Sequence, residues 1–585
     1  MPQALSRSAW LTRDTWLKVA IGVSVLLVLG SAVLHRFTGI DRLLWGSDEL
    51  ATLLPGMRLH LLPWFNLGDP VRENFFKSLV MPVHGLGDTV FFYLVVAVFR
   101  TLDLSLTEAN LFRAAATLSV ASLGLLFVFV RRLFGVGAAL VALSLGAWNT
   151  YLIALAKTGF QITFIVFLQI AVLYGYLQHV SQNRWSTSVL VSALMILCAG
   201  SELFYLAPIL LGLHWAYRRT VTRGEHVLSS ESRGTSVGFC DQKNLLVWGG
   251  YGLMFLVNVF LFFKVGRQLD LTLFGHLFMK GSLNAQWFPD YGLRTLLDGI
   301  NGLMPFVPGF AYVAFAAAAF VLIRHRRAPL AVFFAGYFLL MTALMYLGKV
   351  GHGFNLVHLL VPAFIVIGVA VVDLVATLFQ RRGRSRQVSG ALAGLTAFAV
   401  LIPVARPWQP RETMQPPIPE PYRCVKAVGS AVRELGHPGM HVMVLSNHAF
   451  IPTSLEYYLG LTASTGDNEP TQLFYVRDTT DAYLPSHLAQ RLGIGHFDYY
   501  VDLVKEAFPS KERFLADLHT TGVHEVAQIV FDGEVFARVY SPEAVEPRTI
   551  SLETAEQGFD RRYAKWNNLF HNVNVGTFWY FGANY

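Results

Sequence analysis

Apolar positions dominate residues 110–405 in long runs separated by short polar loops, and a further run lies near the N-terminus. A bilayer core of about 30 Å is crossed by roughly 20 apolar residues in a helix. Runs of that kind fall at 17–34, 110–130, 133–156, 159–177, 186–200, 203–217, 245–263, 300–323, 329–347, 354–379 and 388–404, which predicts eleven transmembrane helices. The first run is too long and too late for a cleaved signal peptide and is expected to be a retained anchor. The stretch 186–217 fits either one long helix or two short ones turning at Gly200-Ser201-Glu202.

Charge chooses between them. With two helices, Arg7/Arg13/Lys18, Arg131/Arg132, Arg184, Arg218/Arg219/Arg223, Arg324/Arg326/Arg327 and Arg381/Arg382/Arg384/Arg386 all share one side. Lys and Arg collect on the cytoplasmic side, so the hairpin is expected and the N-terminus is cytoplasmic. The segments 35–109, 264–299, 348–353 and 405–585 are then extracytoplasmic. Ionisable residues cluster at span ends, with Asp373 the exception. The apolar run from Thr89 to Phe99 is too short to span. It is expected to lie on the membrane surface, with Phe91, Phe92, Tyr93 and Phe99 dipping into the interface.

After residue 405 the pattern changes. Beyond the Pro-rich linker Pro403 to Pro421, a helix is expected at 422–435, ended by Gly436. Strand-like runs at 441–446, 471–476, 498–503 and 526–540 interleave with helix-like runs at 451–460, 483–492 and 510–520. That alternation predicts a small α/β layer. Asp532-Gly533 between apolar flanks is a hairpin signal. No Gly-rich phosphate loop opens any of these helices, so no nucleotide site is expected. The chain thus divides into a membrane domain, 1–405, with large loops 35–109 and 264–299, and a soluble α/β domain, 406–585.

Composition agrees with this division. The chain of 585 residues is 54% hydrophobic and 14% charged, against about 25% charged in soluble globular proteins. A purely soluble enzyme, a disordered chain, a fibrous repeat and a β-barrel are excluded. The net charge of +8 is accounted for by topology, and the basic residues form no aromatic-interleaved patch for nucleic acid. Cys198, Cys240 and Cys424 have no CxxC spacing, which indicates neither a zinc site nor a disulfide framework.

Candidate chemistry sits in the outer segments. The first loop, about 75 residues long, carries Ser47-Asp48-Glu49, Gly68-Asp69-Pro70 and Met81-Pro82-Val83-His84-Gly85-Leu86-Gly87-Asp88. Adjacent acids just beyond a span suit a general base with a substrate-orienting partner. The same residues suit a helix cap equally well in chemistry, because Ser47 or Asp48 would cap a helix starting at Glu49. His84 and Asp88 lie four apart and could share a helix face, but two ligands do not make a metal site. Glu202 stands in a turn at the outer membrane edge, where an ionisable residue is a functional candidate and a solvated one is the alternative. Loop 264–299 carries Lys264, Arg267, His276, Lys280 and Arg294. Such cations suit a phosphate or anionic headgroup, with snorkelling beside lipid as the other reading. His352 and His358 flank the start of a span near Lys349, and His358 is expected to face the bundle interior.

This order of features resembles the C-type glycosyltransferases, integral-membrane enzymes that take sugars from polyprenyl-phosphate carriers. The nearest branches are the protein O-mannosyltransferases and the lipid A aminoarabinose transferases. The matching residues are the first span, Ser47-Asp48-Glu49 opening the outer loop, and Met81-Pro82-Val83-His84 before a surface helix. A span entered by Asn110-Leu111-Phe112-Arg113 and left at Arg131-Arg132-Leu133-Phe134-Gly135 follows. The resemblance covers roughly residues 15–405. The mannosyltransferase pattern His-Pro-Pro-Leu-Gly-Lys is absent, as is the aminoarabinose transferase's Glu-Lys before its prolines, so donor sugar and acceptor stay open.

The resemblance implies an inverting transfer from a lipid-linked sugar to an unidentified glycan, lipid or protein acceptor outside the cytoplasm. It implies Asp48 as base and Glu49 as its acceptor-binding neighbour. Lys280 and Arg294 are the phosphate candidates, with His276 and Lys349 behind them. His84, Asp88, Glu202 and His352 are further candidates. No DxD-type ligand set is present, so no metal or other cofactor is expected. Two other classes stand beside this reading: a transporter or flippase of a lipid-linked envelope precursor, and a non-catalytic membrane scaffold for the C-terminal domain.

Overall fold

The structure, a computed structural model, describes residues 2–38, 40, 98–99, 101–104, 108–158, 162–182, 184–199, 202–222, 241–265, 291–304, 307, 309–348, 356–380, 386–405, 420–436, 440–445, 455, 472–476, 484–504 and 511–552. The membrane-type part is helical. Its elements are α1 (Pro2–Phe37), α2 (Glu108–Phe134), α3 (Val136–Ala147), α4 (Thr150–Thr158), α5 (Ile162–Gln182), α6 (Trp185–Ala199) and α7 (Leu206–Thr222). There follow α8 (Gln242–Val265), α9 (Leu293–Gly302), α10 (Phe310–Arg324), α11 (Pro329–Leu347), α12 (Leu360–Gln380) and α13 (Arg386–Ala405).

Among the described residues, five helical stretches are long and apolar enough to cross a membrane: Thr15–Phe37, Asn110–Phe134, Thr163–Gln182, Pro329–Leu347 and Val357–Gln380. The pair α3 and α4, bent by 58° at its break, makes a sixth if it is one span. Each of the eleven apolar runs falls on a helix. The run 186–217 is two helices, joined by a 3-10 turn at Glu202–Tyr205, as the charge pattern required. Two runs differ from expectation. Residues 133–156 are broken at Trp148 and Asn149. The run 300–323 is helical to Gly302, the end of α9, and again from Phe310, and the sequence between carries Pro305 and Pro308.

Helix α3 is buried on all sides, including Ala138, Leu140, Leu143 and Leu145. Helices in lipid associate through close backbone approach of small residues rather than through a solvent-driven hydrophobic effect. Here α3 meets α12 and α13 along such a seam. A Cβ on Gly137 would land on the Gly390 carbonyl, one on Gly394 on the Gly137 backbone, and one on Gly368 would lie 2.7 Å from the Ala138 oxygen. Asp373, the apparent mid-span acid, accepts from Arg324 Nε at 3.4 Å and stands 3.5 Å from His325 Nε2 at the end of α10, so it is a paired group at a helix end.

The C-terminal part contains α14 (Glu420–Leu435), β1 (His441–Leu445), β2 (Gln472–Val476), α15 (Pro485–Leu492), β3 (Tyr499–Leu503), α16 (Lys511–Thr520), β4 (His524–Phe531), β5 (Glu534–Ser541) and β6 (Arg548–Leu552). The six-stranded sheet runs β2-β1-β3-β5-β4-β6. Its β1 is parallel to β2 and β3, and β5 is antiparallel to β3 and β4. Asp532 and Gly533 turn the β4–β5 hairpin with φ of 48° and 81°, the left-handed pair that such a two-residue loop requires. Val425, Val428 and Val432 of α14 join one core with Val442, Val444 and Val501. Phe514 and Leu518 of α16 join another with Met443 and Tyr500. Lys511 at the start of α16 pairs with the buried Asp502 at 2.8 Å and donates to Leu503 O at 2.6 Å, which pins that helix to β3. Strand β6, parallel to β4, was not expected from the sequence. Apart from Leu455, the helix-like run 451–460 lies outside the described residues.

The α14 core does not end at the soluble domain. Ile40, Phe99, Leu111, Phe112 and Ala116 belong to the same buried cluster as Cys424, Val425 and Val428, and Phe37 packs against it. Phe99 is therefore buried in protein, 6% exposed, rather than dipping into lipid. Its neighbours Phe91, Phe92 and Tyr93 lie outside the described residues.

Candidate site at the broken helix

The first span ends in Arg36, which is fully buried. Its Nε donates to Ser119 Oγ at 2.8 Å, Nη1 to Ala147 O at 3.0 Å and Ala32 O at 3.3 Å, and Nη2 to Gly146 O at 3.2 Å. Gly146 and Ala147 close α3, and the last carbonyls of a helix have no partner within it. A planar guanidinium reaches two converging carbonyls at once and complements the negative end of the helix dipole. Arg36 is thus the cap of α3, delivered by α1.

The break itself is held on both sides. Trp148 Nε1 donates to Ser31 Oγ at 2.9 Å, and the indole stacks on Phe398 with centroids 5.9 Å apart. Asn149 Oδ1 accepts from Leu152 N at 2.8 Å, an N-cap for α4, while its Nδ2 donates to Leu303 O at 2.8 Å. The sequence Trp148-Asn149 therefore ends one helix and starts the next in a fixed direction.

Helix α4 carries Lys157 in its last turn. Lys157 is 2% exposed. No carboxylate of the described residues pairs with it or with Arg36, and the two cations are close enough to repel one another. Burying an ion costs several kcal/mol unless partners replace its water. Arg36 has four such partners; Lys157 has none among the described residues.

Next to Arg36 lies a cavity of about 20 Å³, room for one water molecule. Its wall is mainly apolar, with Leu123 and Phe364 among the lining, and Ser119, Ser122 and Thr163 supply the few polar side chains. Thr163 Oγ1 is buried without a hydrogen bond, as is Thr150 Oγ1 at the start of α4. Two turns deeper in α5, Gln169 Nε2 donates to Tyr337 OH at 2.7 Å and to His358 O at 3.1 Å, while its Oε1 is buried without a partner. His358 is 2% exposed and faces the bundle interior, as expected, with its ring edge-on to Tyr205 at 5.5 Å.

Of the residues singled out in the sequence, Asp48, Glu49, His84, Asp88, His276, Lys280, Lys349 and His352 lie outside the described residues. Glu202 opens the turn between α6 and α7, and nothing further is described of it. Arg294 is placed. Its side chain is 95% exposed in the first turn of α9, 3.8 Å from Asp298 of the same helix, and is not brought to Arg36 or Lys157. Among the described residues no three His, Cys, Asp or Glu side chains cluster as a metal site. Sequence reasoning missed Arg36 and Lys157. A signal existed for both: Arg36 sits at the cation-poor end of the first span, and Lys157 in the two-residue gap between the apolar runs 133–156 and 159–177.

No family model matches the sequence, and no curated protein matches it. Among solved structures the chain is similar to ArnT from Cupriavidus metallidurans bound to undecaprenyl phosphate, with a TM-score of 0.49 and 14% identity over 90% of this chain and 98% of that one. It is also similar to the archaeal oligosaccharyltransferase AglB from Archaeoglobus fulgidus in complex with an inhibitory peptide and a dolichol-phosphate, with a TM-score of 0.45 and 12% identity over 84% of this chain and 69% of that one. Both likenesses extend over most of this chain. With every one of these TM-scores below 0.5, the likeness assigns no chemistry to this chain.

Proposed function

We propose that the chain is an integral-membrane glycosyltransferase that moves a sugar from a polyprenyl-phosphate carrier to an acceptor hydroxyl, with inversion. In this reading eleven helices cross the membrane, the N-terminus is cytoplasmic, and the α/β domain of residues 406–585 stands outside with the loops 35–109 and 264–299.

One observation carries it. Ile40 and Phe99, described residues on either side of the acid-bearing segment 41–97, are buried in one cluster with Phe112 and the core of the α/β domain. Arg36 lies one turn before Ile40. Asp48 and Glu49, within that segment, follow the buried Arg36 by 12 and 13 positions along the chain. Acids for an acceptor and cations for a leaving phosphate are what the reaction needs. The acceptor oxygen attacks the anomeric carbon, the bond from that carbon to the phosphate oxygen breaks, and the polyprenyl phosphate leaves with the electron pair. Asp48 takes the acceptor's proton, and Glu49 orients the acceptor.

The test is turnover of a lipid-linked donor by purified, folded variants. Asp48→Asn keeps shape but accepts no proton at neutral pH, and removal of a general base costs about 10²- to 10⁴-fold. Glu49→Gln is expected to lose less. A helix cap predicts the reverse, since Asn caps as well as Asp. Near-normal turnover by Asp48→Asn would remove it from the mechanism.

A further inference from the structure

The pole of the bundle away from the α/β domain carries a surface that the reading above does not use. Helices α6 and α8 run side by side there in the same direction. Ser188 and Asn244 both meet His179, and Ser192 Oγ donates to Leu246 O at 3.2 Å. Buried bonds therefore fix the seam between their first turns. On the outer side of that seam, Lys243 Nζ lies over the Trp185 ring, 5.4 Å from its centroid. Trp185 is 53% exposed, and the adjoining Arg184 is exposed as well. Asp241, beside them in sequence, is engaged as the cap of α8, accepting from Lys243 N at 2.9 Å. The pairing recurs on α7, where Arg219 lies over Trp215 at 5.0 Å and that indole is 54% exposed. At the end of α2, Arg132 donates to Ser181 Oγ at 3.0 Å, and Arg131 next to it is exposed. A half-exposed indole adds little to a core. Its amphipathic ring suits the level of lipid headgroups, and a cation held on its face suits an anion there.

We infer that this pole is a binding surface for anionic phospholipid, centred on Arg184, Trp185 and Lys243 at the seam of α6 and α8, with Arg219 and Trp215 as a second contact. The indoles lodge among headgroups, and the cations beside them meet the lipid's negative charge. A zwitterionic headgroup brings the same phosphate, but its ammonium is repelled by the same cations, so the surface selects lipids of net negative charge. Snorkelling needs only a long side chain and places no exposed ring beneath it. A headgroup held by Arg184 and Lys243 touches two helices at once, and a ligand bound only by the folded state stabilises it. The surface lies at the end opposite the acids and buried cations discussed above, and it stands whether or not the chain transfers a sugar.

The experiment follows the unfolding midpoint of the full chain in phosphatidylcholine nanodiscs as phosphatidylglycerol with the same acyl chains replaces part of the lipid. Wild type is compared with Arg184→Gln, Lys243→Gln, Lys243→Arg and Arg326→Gln. The last removes an equal charge from an exposed loop position outside the seam. Each variant's midpoint in pure phosphatidylcholine is its own baseline, so a protein that is merely less stable does not mimic lost lipid binding. Wild type is expected to gain stability with phosphatidylglycerol. Arg184→Gln and Lys243→Gln are each expected to need about fivefold more of it for half of that gain, the effect of one cation at an anionic surface. Lys243→Arg is expected to keep the wild-type response, and Arg326→Gln to stay within about twofold of it. No gain from phosphatidylglycerol overturns the proposal. A shift for Arg326→Gln as large as that for Lys243→Gln also overturns it, because net charge would then suffice. Inorganic phosphate that raises the midpoint as far in pure phosphatidylcholine would overturn the lipid source. Polyglutamate bound through Arg184 and Lys243 more tightly than phosphatidylglycerol would overturn the lipid in favour of an acidic protein segment.

Discussion

The two ends of the helical bundle bury similar polar side chains and satisfy them differently. At the end where α6 and α8 begin, His179 Nδ1 meets Ser188 Oγ at 3.0 Å and its Nε2 meets Asn244 Oδ1 at 3.3 Å. One turn away, Tyr176 OH is shared by His214 Nδ1 at 3.1 Å and Trp248 Nε1 at 3.3 Å. These groups cross-link α5, α6, α7 and α8. At the end beneath the α/β domain, Thr150 Oγ1 and Thr163 Oγ1 have no hydrogen-bond partner among the described residues, and Gln169 Oε1 has none two turns further in. Ser389 Oγ at the first end is also buried without a hydrogen bond among the described residues. A buried polar atom left unsatisfied costs about 1–3 kcal/mol, and a membrane interior offers no water to relieve it. The paired end is what stability alone produces. The unpaired end keeps buried hydroxyl and amide oxygens without hydrogen bonds among the described residues.

The largest effect that would separate the two cations at the unpaired end comes from Arg36. Arg36→Met removes the bonds to Ser119, Gly146 and Ala147 together and leaves the carbonyls that close α3 without a cap. Each charge-assisted bond contributes about 1.5–3 kcal/mol, so unfolding in mixed micelles should shift strongly toward lower denaturant, and expression should fall with it. Lys157→Met at the same end is expected to leave the midpoint unchanged or raise it. Parallel losses in both variants would mean that the two cations do the same work and that the contrast drawn here is false.

A smaller effect compares single hydrogen-bonding groups at the two ends. Asn244→Leu strands His179 Nε2 in the paired end and should cost about 1–3 kcal/mol. Thr163→Val removes a hydroxyl that bonds to nothing and keeps the shape, so it should be neutral or slightly stabilising. Equilibrium unfolding of the two variants, each against wild type, checks the difference. A loss for Thr163→Val as large as that for Asn244→Leu would mean that Thr163 is already satisfied in the resting protein.

What was legible in the sequence follows from the range of the forces involved. Helix positions are written locally, in apolar length, and each of the eleven runs falls on helix, although 133–156 and 300–323 are each interrupted. The hairpin at 186–217 was decided by charge, a local property as well. The seam of Gly137, Gly368, Gly390 and Gly394 was not legible, because the residues that need each other are about 250 positions apart. Arg36 fails for the same reason: it caps carbonyls 110 and 111 residues away. Strand β6 was missed because Arg548–Leu552 is a short edge strand whose partner β4 supplies its register. For the acids of the first loop, the sequence offered catalysis and capping as alternatives, and only Asp48→Asn distinguishes them. The loop cations were selected by density alone, a criterion blind to burial. Arg294, the candidate among them that is described, is exposed on α9, while Lys157, outside that loop, is buried.

Arg294 should therefore give the smallest effect of all. Its side chain is 95% exposed and its partner Asp298 69% exposed, one turn apart on α9 at 3.8 Å. An exposed pair at this spacing contributes about 0.3–0.5 kcal/mol to a helix and is screened by salt. Arg294→Ala should leave the unfolding midpoint within experimental error and farnesyl phosphate affinity within about twofold. A phosphate contact at Arg294 predicts instead a loss of roughly 10- to 150-fold that shrinks as salt is raised, because an exposed charge is screened. Affinities of wild type and Arg294→Ala at low and high ionic strength separate the cases. A large, salt-sensitive loss for Arg294→Ala would place the phosphate at the loop 264–299.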